Sequence, residues 1–433
     1  MSKSAKGIDV LKILFIISIC ICSYFSYIRV FNFFKISPFW FWLYIGIFSI
    51  SPVLLVPILN FKNERVINIS KLLYLIVFLV GGILNGFIES TISFTAIYII
   101  SFVAFGYLTR NSWWYDKFFK AVSICALLYV IASLIQFVAP AFVDQINKYI
   151  LPDDMYKINH SLIERGWNIG IAIQASLQVQ YITPLIAISF AGFCLEENKK
   201  KRIIWLFVLG LSLVSLVICN KRTPIIAIFV CFIFCYFLQI KKLRISRKLL
   251  VVLIIGIVFA IIFASSPIGR MLIERIKDSS LQEDERGYLW GIALLLWKEN
   301  FIFGAGTGAF SKYSNLSVHN SYLQSLALNG IIGFICMTLF IVIPFVHSVK
   351  LFRRIERNKF PIKYSIYLLA SIFFQLFCLL HCFTESIMFN EVMFLVFQLM
   401  GAVSYSLERY VFLYDNVKAN NSNAEIQKDE IYK

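Results

Sequence analysis

The amino-acid sequence predicts an all-α polytopic membrane protein, and three observations carry that prediction. Of 433 residues, 59% are hydrophobic and 17% aromatic, with a mean hydropathy of +0.78; a water-soluble domain does not tolerate so apolar a composition. The apolar residues fall into runs of about 20, the length at which a helix crosses the hydrocarbon core of a bilayer. Basic residues collect in short clusters between those runs, most densely at Lys199-Lys200-Lys201-Arg202 and Lys241-Lys242-Leu243-Arg244, as they do in the cytoplasmic loops of membrane proteins. That dispersal also disposes of a nucleic-acid partner, which the net charge of +17 would otherwise suggest.

Twelve candidate spans follow in order, at 10–28, 38–60, 72–88, 92–108, 118–139, 171–194, 203–219, 224–240, 249–265, 323–347, 364–382 and 390–411. Together they make one integral membrane domain over 1–412, followed by a polar cytoplasmic tail at 413–433. No small-residue cleavage site follows the first run, which continues through Tyr27-Ile28-Arg29 toward another span, so it reads as a membrane helix and not a leader. Placing the N-terminus inside puts Lys62/Arg65/Lys71, Arg110/Lys117/Lys120, both dense clusters and the run from Lys350 to Lys363 in the cytoplasm, and both termini with them. The outer face then receives 140–170, the tight turn Asn220-Lys221-Arg222, the short acidic turn from Thr384-Glu385 to Asn390-Glu391, and a large loop, 266–322, between helices 9 and 10. The ten cysteines sit mostly inside apolar runs, with no metal-type CxxC pair accompanied by histidines, and read as small buried hydrophobes.

The outer segments hold the residues whose type and position invite chemistry. The longest polar interruption, Glu285 to Gly333, contains Arg286-Gly287-Tyr288-Leu289-Trp290, the glycine run Gly304-Ala305-Gly306-Thr307-Gly308, and His319-Asn320. Arg222 stands in an outer turn, where the positive-inside rule leaves few basic residues. With Thr223 as N-cap and Pro224 as first helical residue, Lys221 and Arg222 would flank a helix N-terminus, and backbone donors plus a guanidinium fork make an anion site. Snorkelling to lipid headgroups is the competing use. Arg165 ends the 140–170 segment ahead of a span carrying Gln174, Gln178 and Gln180, which suits either a polar face on a cavity or hydrogen bonding between helices. Arg270 and Arg275 are loop arginines near the membrane exit. Residues 289–297 read as an amphipathic or re-entrant piece at the membrane surface, with Trp290 and Trp297 in the headgroup zone. No strand signal precedes the glycine run and no Gly-Lys-Ser/Thr ends it, so it reads as tight backbone packing or close approach to a ligand, not as a nucleotide loop. His319 stands at the outer mouth of the tenth span, where Asn320 or Ser321 can cap the helix. It is one of only four histidines; arginines on the same face make it a candidate base and not only an interfacial anchor.

His319-Asn320, nine residues, and then Gly330-Ile331-Ile332-Gly333 resembles the His-[Asn/Ser/Gln]-x9-Gly-x-x-Gly pattern of the O-antigen ligases and Wzy-type O-antigen polymerases of bacterial envelopes. Arg286-Gly287-Tyr288-Leu289-Trp290 leading through Asn300-Phe301-Ile302-Phe303-Gly304, and the turn Lys221-Arg222-Thr223, carry the likeness over about 222–333. The resemblance implies a metal-independent, GT-C-like glycosyltransferase with no cofactor, whose donor is a glycan on undecaprenyl pyrophosphate at the periplasmic face of the inner membrane. On that expectation His319, Arg286 and Arg222 are catalytic, and Arg165, Lys221, Asn320, Arg270, Gln178 and Glu385 bind substrate. Arginine forks would neutralise the pyrophosphate leaving group while histidine takes the proton of the attacking hydroxyl. The expected reaction is polymerisation of lipid-linked repeat units in lipopolysaccharide biosynthesis, with a chain-length regulator as a protein partner. The runner-up is a ligase that moves finished polymer onto lipid A-core. A flippase is the rival of another class, against which stand the absence of an inverted repeat and of paired broken helices.

The orientation is open to direct measurement. Single cysteine reporters at Ser311 and Asp153 should label from outside intact cells and reporters at Lys200 and Lys242 should not; labelling at Lys200 would invert the topology and move the candidate site to the wrong face.

Overall fold

The computed structural model describes residues 65–109, 114–239 and 280–411, apart from positions 315, 358–359, 391–392 and 410, together with scattered residues between 16 and 29. The expected spans 38–60 and 249–265, most of 10–28, the tail, Arg270 and Arg275 lie outside the described residues. Within them the chain is helical, without a strand. The helices are α1 (Arg65–Leu84), α2 (Ile88–Leu108), α3 (Tyr115–Val138), α4 (Pro140–Ile150), α5 (Asp153–Glu164), α6 (Ala175–Leu195), α7 (Lys199–Ile218), α8 (Arg222–Gln239), α9 (Ser280–Glu299), α10 (Ser321–Arg357) and α11 (Ile362–His381). A twelfth, α12, covers 393–409. Seven of the described helices, α1, α3, α6, α7, α8, α10 and α11, are long and apolar enough to cross a membrane. The protein is thus an all-α polytopic membrane protein, and α2 and α12 fall on two further expected spans, 92–108 and 390–411.

Both faces of these helices are apolar, which marks hydrocarbon and not water as the surrounding solvent. On α1, Ile67, Tyr74, Val77 and Phe78 are buried, while Val66, Ile69, Leu72, Leu73, Ile76 and Ile83 are exposed on the opposite face. In water so large an exposed apolar surface would drive association; in lipid it is the solvated side of the helix. Helix α6 is the exception, since every residue from Ala175 to Gly192 is buried. It packs on α3, α7 and α11, as a helix apolar on all sides must. Gln178 and Gln180 lie within this sheath, and the Gln178 amide donates to the Tyr129 carbonyl of α3 at 3.0 Å. Of the two uses expected for these glutamines, the structure shows hydrogen bonding between helices for Gln178.

Helix α10 spans 37 residues, too many for one crossing, and Gly330 breaks it at φ 62°, ψ −170°. The break gives a short segment, 321–329, and a crossing segment, 331–357. A broken helix leaves backbone groups unpaired, and at membrane depth these need protein partners. The loop after α9 supplies them: Ile331 N donates to Phe301 O at 2.9 Å, Ala305 N to Ala327 O at 2.9 Å, and Gly306 N to Leu328 O at 3.0 Å. Gly304, at φ 75°, comes so close that a Cβ there would lie 2.3 Å from the Asn329 nitrogen. On the loop's other side, Gly306 meets the Gly81 carbonyl of α1 and Thr307 pairs with Thr91 of α2 at 2.9 Å. The glycine run is therefore a backbone-packing device between α1, α2 and the broken α10.

The helix preceding that loop is longer than the expected piece. Residues 289–297 belong to one continuous helix, α9, and Leu289, Ile292, Ala293 and Leu296, at helical spacing, bury an apolar stripe against Ala305, Phe310, Val318 and Leu328. Trp290 donates its Nε1–H to the Val318 carbonyl at 3.1 Å. Protein packing thus holds the Leu289 side of this helix.

Gly304→Ala should lower stability by on the order of 3 kcal/mol or more, because both the positive φ and the backbone contact forbid a Cβ. Gly210→Ala, on α7 with open space around it, should change stability by less than about 0.5 kcal/mol. Thermal unfolding of the detergent-purified variants checks both; equal melting points would remove the glycine run from the packing.

Candidate functional site

The start of α10 and the turn after α11 are locked together by one residue. Ser321, fully buried, donates its backbone N–H to the Cys382 carbonyl at 2.8 Å. Its hydroxyl donates to the Glu385 carbonyl at 2.9 Å and accepts from Met388 N at 3.2 Å. Immediately before it, Asn320 caps α10, its Oδ1 accepting from Tyr322 N and Leu323 N at 3.0 Å each. Asn320, expected to bind substrate, thus spends its side-chain oxygen on the helix terminus. His319 then takes φ 52°, a left-handed conformation uncommon for a non-glycine residue, and the chain turns its imidazole toward the 382–388 segment.

There His319 Nδ1 meets Glu385 Oε2 at 3.1 Å. The other carboxylate oxygen lies 3.6 Å from Lys221 Nζ. The Glu385 side chain is 9% exposed and that of His319 32%, so a buried anion orients a half-open imidazole. Burial works against the Glu385 charge, but the His319 hydrogen bond and then the Lys221 ammonium hold its pKa below the ordinary carboxylate range. With Glu385 ionised, the neutral His319 tautomer that satisfies the contact carries its proton on Nδ1 and leaves Nε2 as a bare lone pair.

Lys221 arrives by a different route. Between α7 and α8 the chain turns at Asn220, at φ 58°, and α8 begins at Arg222, one residue ahead of the expected Thr223 cap. Lys221 Nζ also lies 5.7 Å from the Trp167 ring centre, and Asn168 Nδ2 donates to the Ile218 carbonyl at 3.4 Å. The 165–170 segment is thereby tied to the α7–α8 turn, with the exposed Arg165 two residues from the tryptophan. Arg286 lies on α9 one turn before Leu289, on the side of the packed stripe. It and Lys221 both come close enough to His381, at the end of α11, for their charges to act there.

The structure thus brings His319, Glu385 and Lys221 into contact and sets Arg222, Arg286 and Arg165 on elements that converge at the same end of the bundle. The basic start of α7 at Lys199 lies at the far end of its helix, about 30 Å away at 1.5 Å per residue, and the basic end of α10 at Arg357 lies about 40 Å beyond the Gly330 break. Gln178 is not part of the group. Ser321 and His381 belong beside it, although the sequence marked Ser321 only as a possible cap. The sole sequence hint for His381 was its spacing of four residues from Glu385, across a helix end where periodicity arguments lapse.

Chemically, the cluster offers a base lone pair backed by a carboxylate, next to several cations. That combination can remove a proton from a hydroxyl and receive negative charge on a neighbouring group. A search of curated proteins finds no match to the chain. A family model described as O-Antigen ligase matches residues 207–338, a stretch running from α7 through the break in α10 and containing Lys221, Arg222, Arg286 and His319. The match supports the resemblance to the O-antigen ligase and polymerase superfamily that the His319-to-Gly333 pattern carries.

Proposed function

We propose that the protein is a polymerase that joins undecaprenyl-pyrophosphate-linked oligosaccharide repeat units at the periplasmic face of the inner membrane, with both termini in the cytoplasm. The observation that carries the reading is the His319–Glu385 pair, 3.1 Å apart, beside cations that the family match also covers. Members of the O-antigen ligase family are glycosyltransferase-like enzymes of O-antigen processing.

In this reading His319 Nε2 takes the proton of the acceptor-sugar hydroxyl as its oxygen attacks the anomeric carbon of the donor. The bond from that carbon to the pyrophosphate oxygen breaks, and undecaprenyl pyrophosphate leaves with the electron pair. Glu385 fixes the His319 tautomer and stabilises the imidazolium once the proton has moved. Arg222 and Arg286 receive the charge on the leaving pyrophosphate, with Lys221 and Arg165 alongside. Arg270, in the same outer loop as Arg286, is a further contact to the donor in this reading. A ligase would use the same donor chemistry with a lipid A-core sugar as acceptor. The lipopolysaccharide ladder of a deletion strain separates the two: a single repeat on core indicates a lost polymerase, and bare core with accumulated lipid-linked polymer a lost ligase.

Two sets of variants test the roles. His319→Ala and His319→Gln should reduce chain extension by about 10²–10⁴-fold while leaving donor binding nearly intact. Histidine as the base also predicts turnover that falls on the acid side. Near-normal product length from the glutamine variant would take His319 out of the chemistry.

Arg222→Lys should impair extension nearly as much as Arg222→Ala, since an ammonium cannot reproduce a bidentate grip on pyrophosphate. Full ladders from the lysine variant at equal expression would reduce Arg222 to a simple positive charge.

A further inference from the structure

We propose that His381 is a positioning residue of this site, fixing the turn after α11 so that the Glu385 carboxylate meets His319. The inference rests on the reading of His319 as base and Glu385 as its partner, and adds a residue outside the family-matched stretch. His381 ends α11 and is 1% exposed. Its carbonyl accepts from Thr384 N at 3.0 Å and Glu385 N at 2.9 Å. Its Nδ1 lies 3.0 Å from Thr384 Oγ1, and that hydroxyl reaches back to the His381 carbonyl at 3.3 Å. With the hydroxyl hydrogen on the carbonyl, Nδ1 donates to Oγ1, and the ring clamps the residue immediately before Glu385. Phe377 backs the ring at 5.1 Å between centres.

The second ring nitrogen separates this role from simple space filling. Nε2 is buried without a hydrogen-bond partner among the described residues. A leucine would fill a comparable volume without orphaning a polar atom, so packing alone gives no reason for a histidine at this position. What the histidine adds is the Nδ1 contact to Thr384. Ser321 already holds the Cys382 and Glu385 carbonyls and Met388 N, so loss of the clamp leaves the turn attached to α10. It frees Thr384 and the Glu385 side chain to rotate away from His319.

A double-mutant cycle on the full-length protein in nanodiscs tests the assignment, using lipid-linked repeat units isolated from membranes of the deletion strain as substrate. Each variant is first checked for monodispersity and melting point. His381→Leu should lower kcat about tenfold with little change in KM, and should add no further loss in a Glu385→Gln background, because residues acting through one contact are not additive. His381→Asn, whose amide occupies the Nδ1 position, should stay within about threefold of wild type, whereas His381→Gln, whose amide reaches the Nε2 position, should behave like leucine. Should the leucine variant fail to fold, the glutamine variant takes its place in the cycle. An equal cost in both backgrounds would overturn the positioning role, as would rescue by glutamine and not by asparagine. Wild-type turnover by Glu385→Gln alone would be a different failure, removing the Glu385–His319 partnership on which the inference stands.

Discussion

The break in α10 at Gly330 is the constraint on which the rest of the site depends. A membrane helix interrupted at depth must find partners for the backbone groups it releases, and the 301–306 loop provides them through three backbone hydrogen bonds. Seating that loop requires glycine at 304, where any Cβ would collide with Leu328 and Asn329, and brings it against Gly81 of α1. It also fixes the depth and direction of the nine-residue segment 321–329, and with it Asn320 and His319. The spacing of His319 from Gly330 is therefore mechanical: it measures a short capped helix between the catalytic candidate and the hinge that holds it.

Much of this was legible in the sequence because hydrophobic run length and basic-residue asymmetry report directly on the solvent around a helix. Nine of the expected spans coincide with helices α1, α2, α3, α6, α7, α8, α10, α11 and α12. His319, Lys221 and Glu385 were each marked from type and position, and the structure puts them in contact. What the sequence did not reveal depends on chain reversal. Nothing in a one-dimensional pattern says that the Ser321 hydroxyl bridges Glu385 and Met388, residues more than sixty positions away. The glutamines were ambiguous for another reason: a polar side chain on an apolar helix looks the same whether it faces a cavity or a neighbouring carbonyl, and only the closeness of Tyr129 decides for Gln178. The apolar stripe of α9 likewise suits a bilayer surface or a protein groove equally well.

The electrostatics of the site balance in a way that its contacts make plain. A buried carboxylate standing alone would favour protonation, but Glu385 has one oxygen on His319 and the other near Lys221. Lys221 in turn is shared with the face of Trp167. The carboxylate thus serves the imidazole without cancelling every cation nearby, and Arg286 on a separate helix leaves positive potential for an anionic substrate.

Helix α6 carries one consequence for how the protein sits among lipids. Helices α1, α3 and α7 present apolar residues outward, so a thinner or thicker bilayer acts on them through tilt and local deformation. Helix α6, buried from Ala175 to Gly192, has almost no lipid contact through which such a mismatch can act. The segment leading into it carries Trp167, and Cys219 of the α7–α8 turn hydrogen-bonds to its first residue through the Ala175 carbonyl at 3.4 Å. The height of the Lys221 turn is thereby referenced to an internal protein axis and not to the membrane, which insulates the spacing between Lys221, Glu385 and His319 from changes in acyl-chain length.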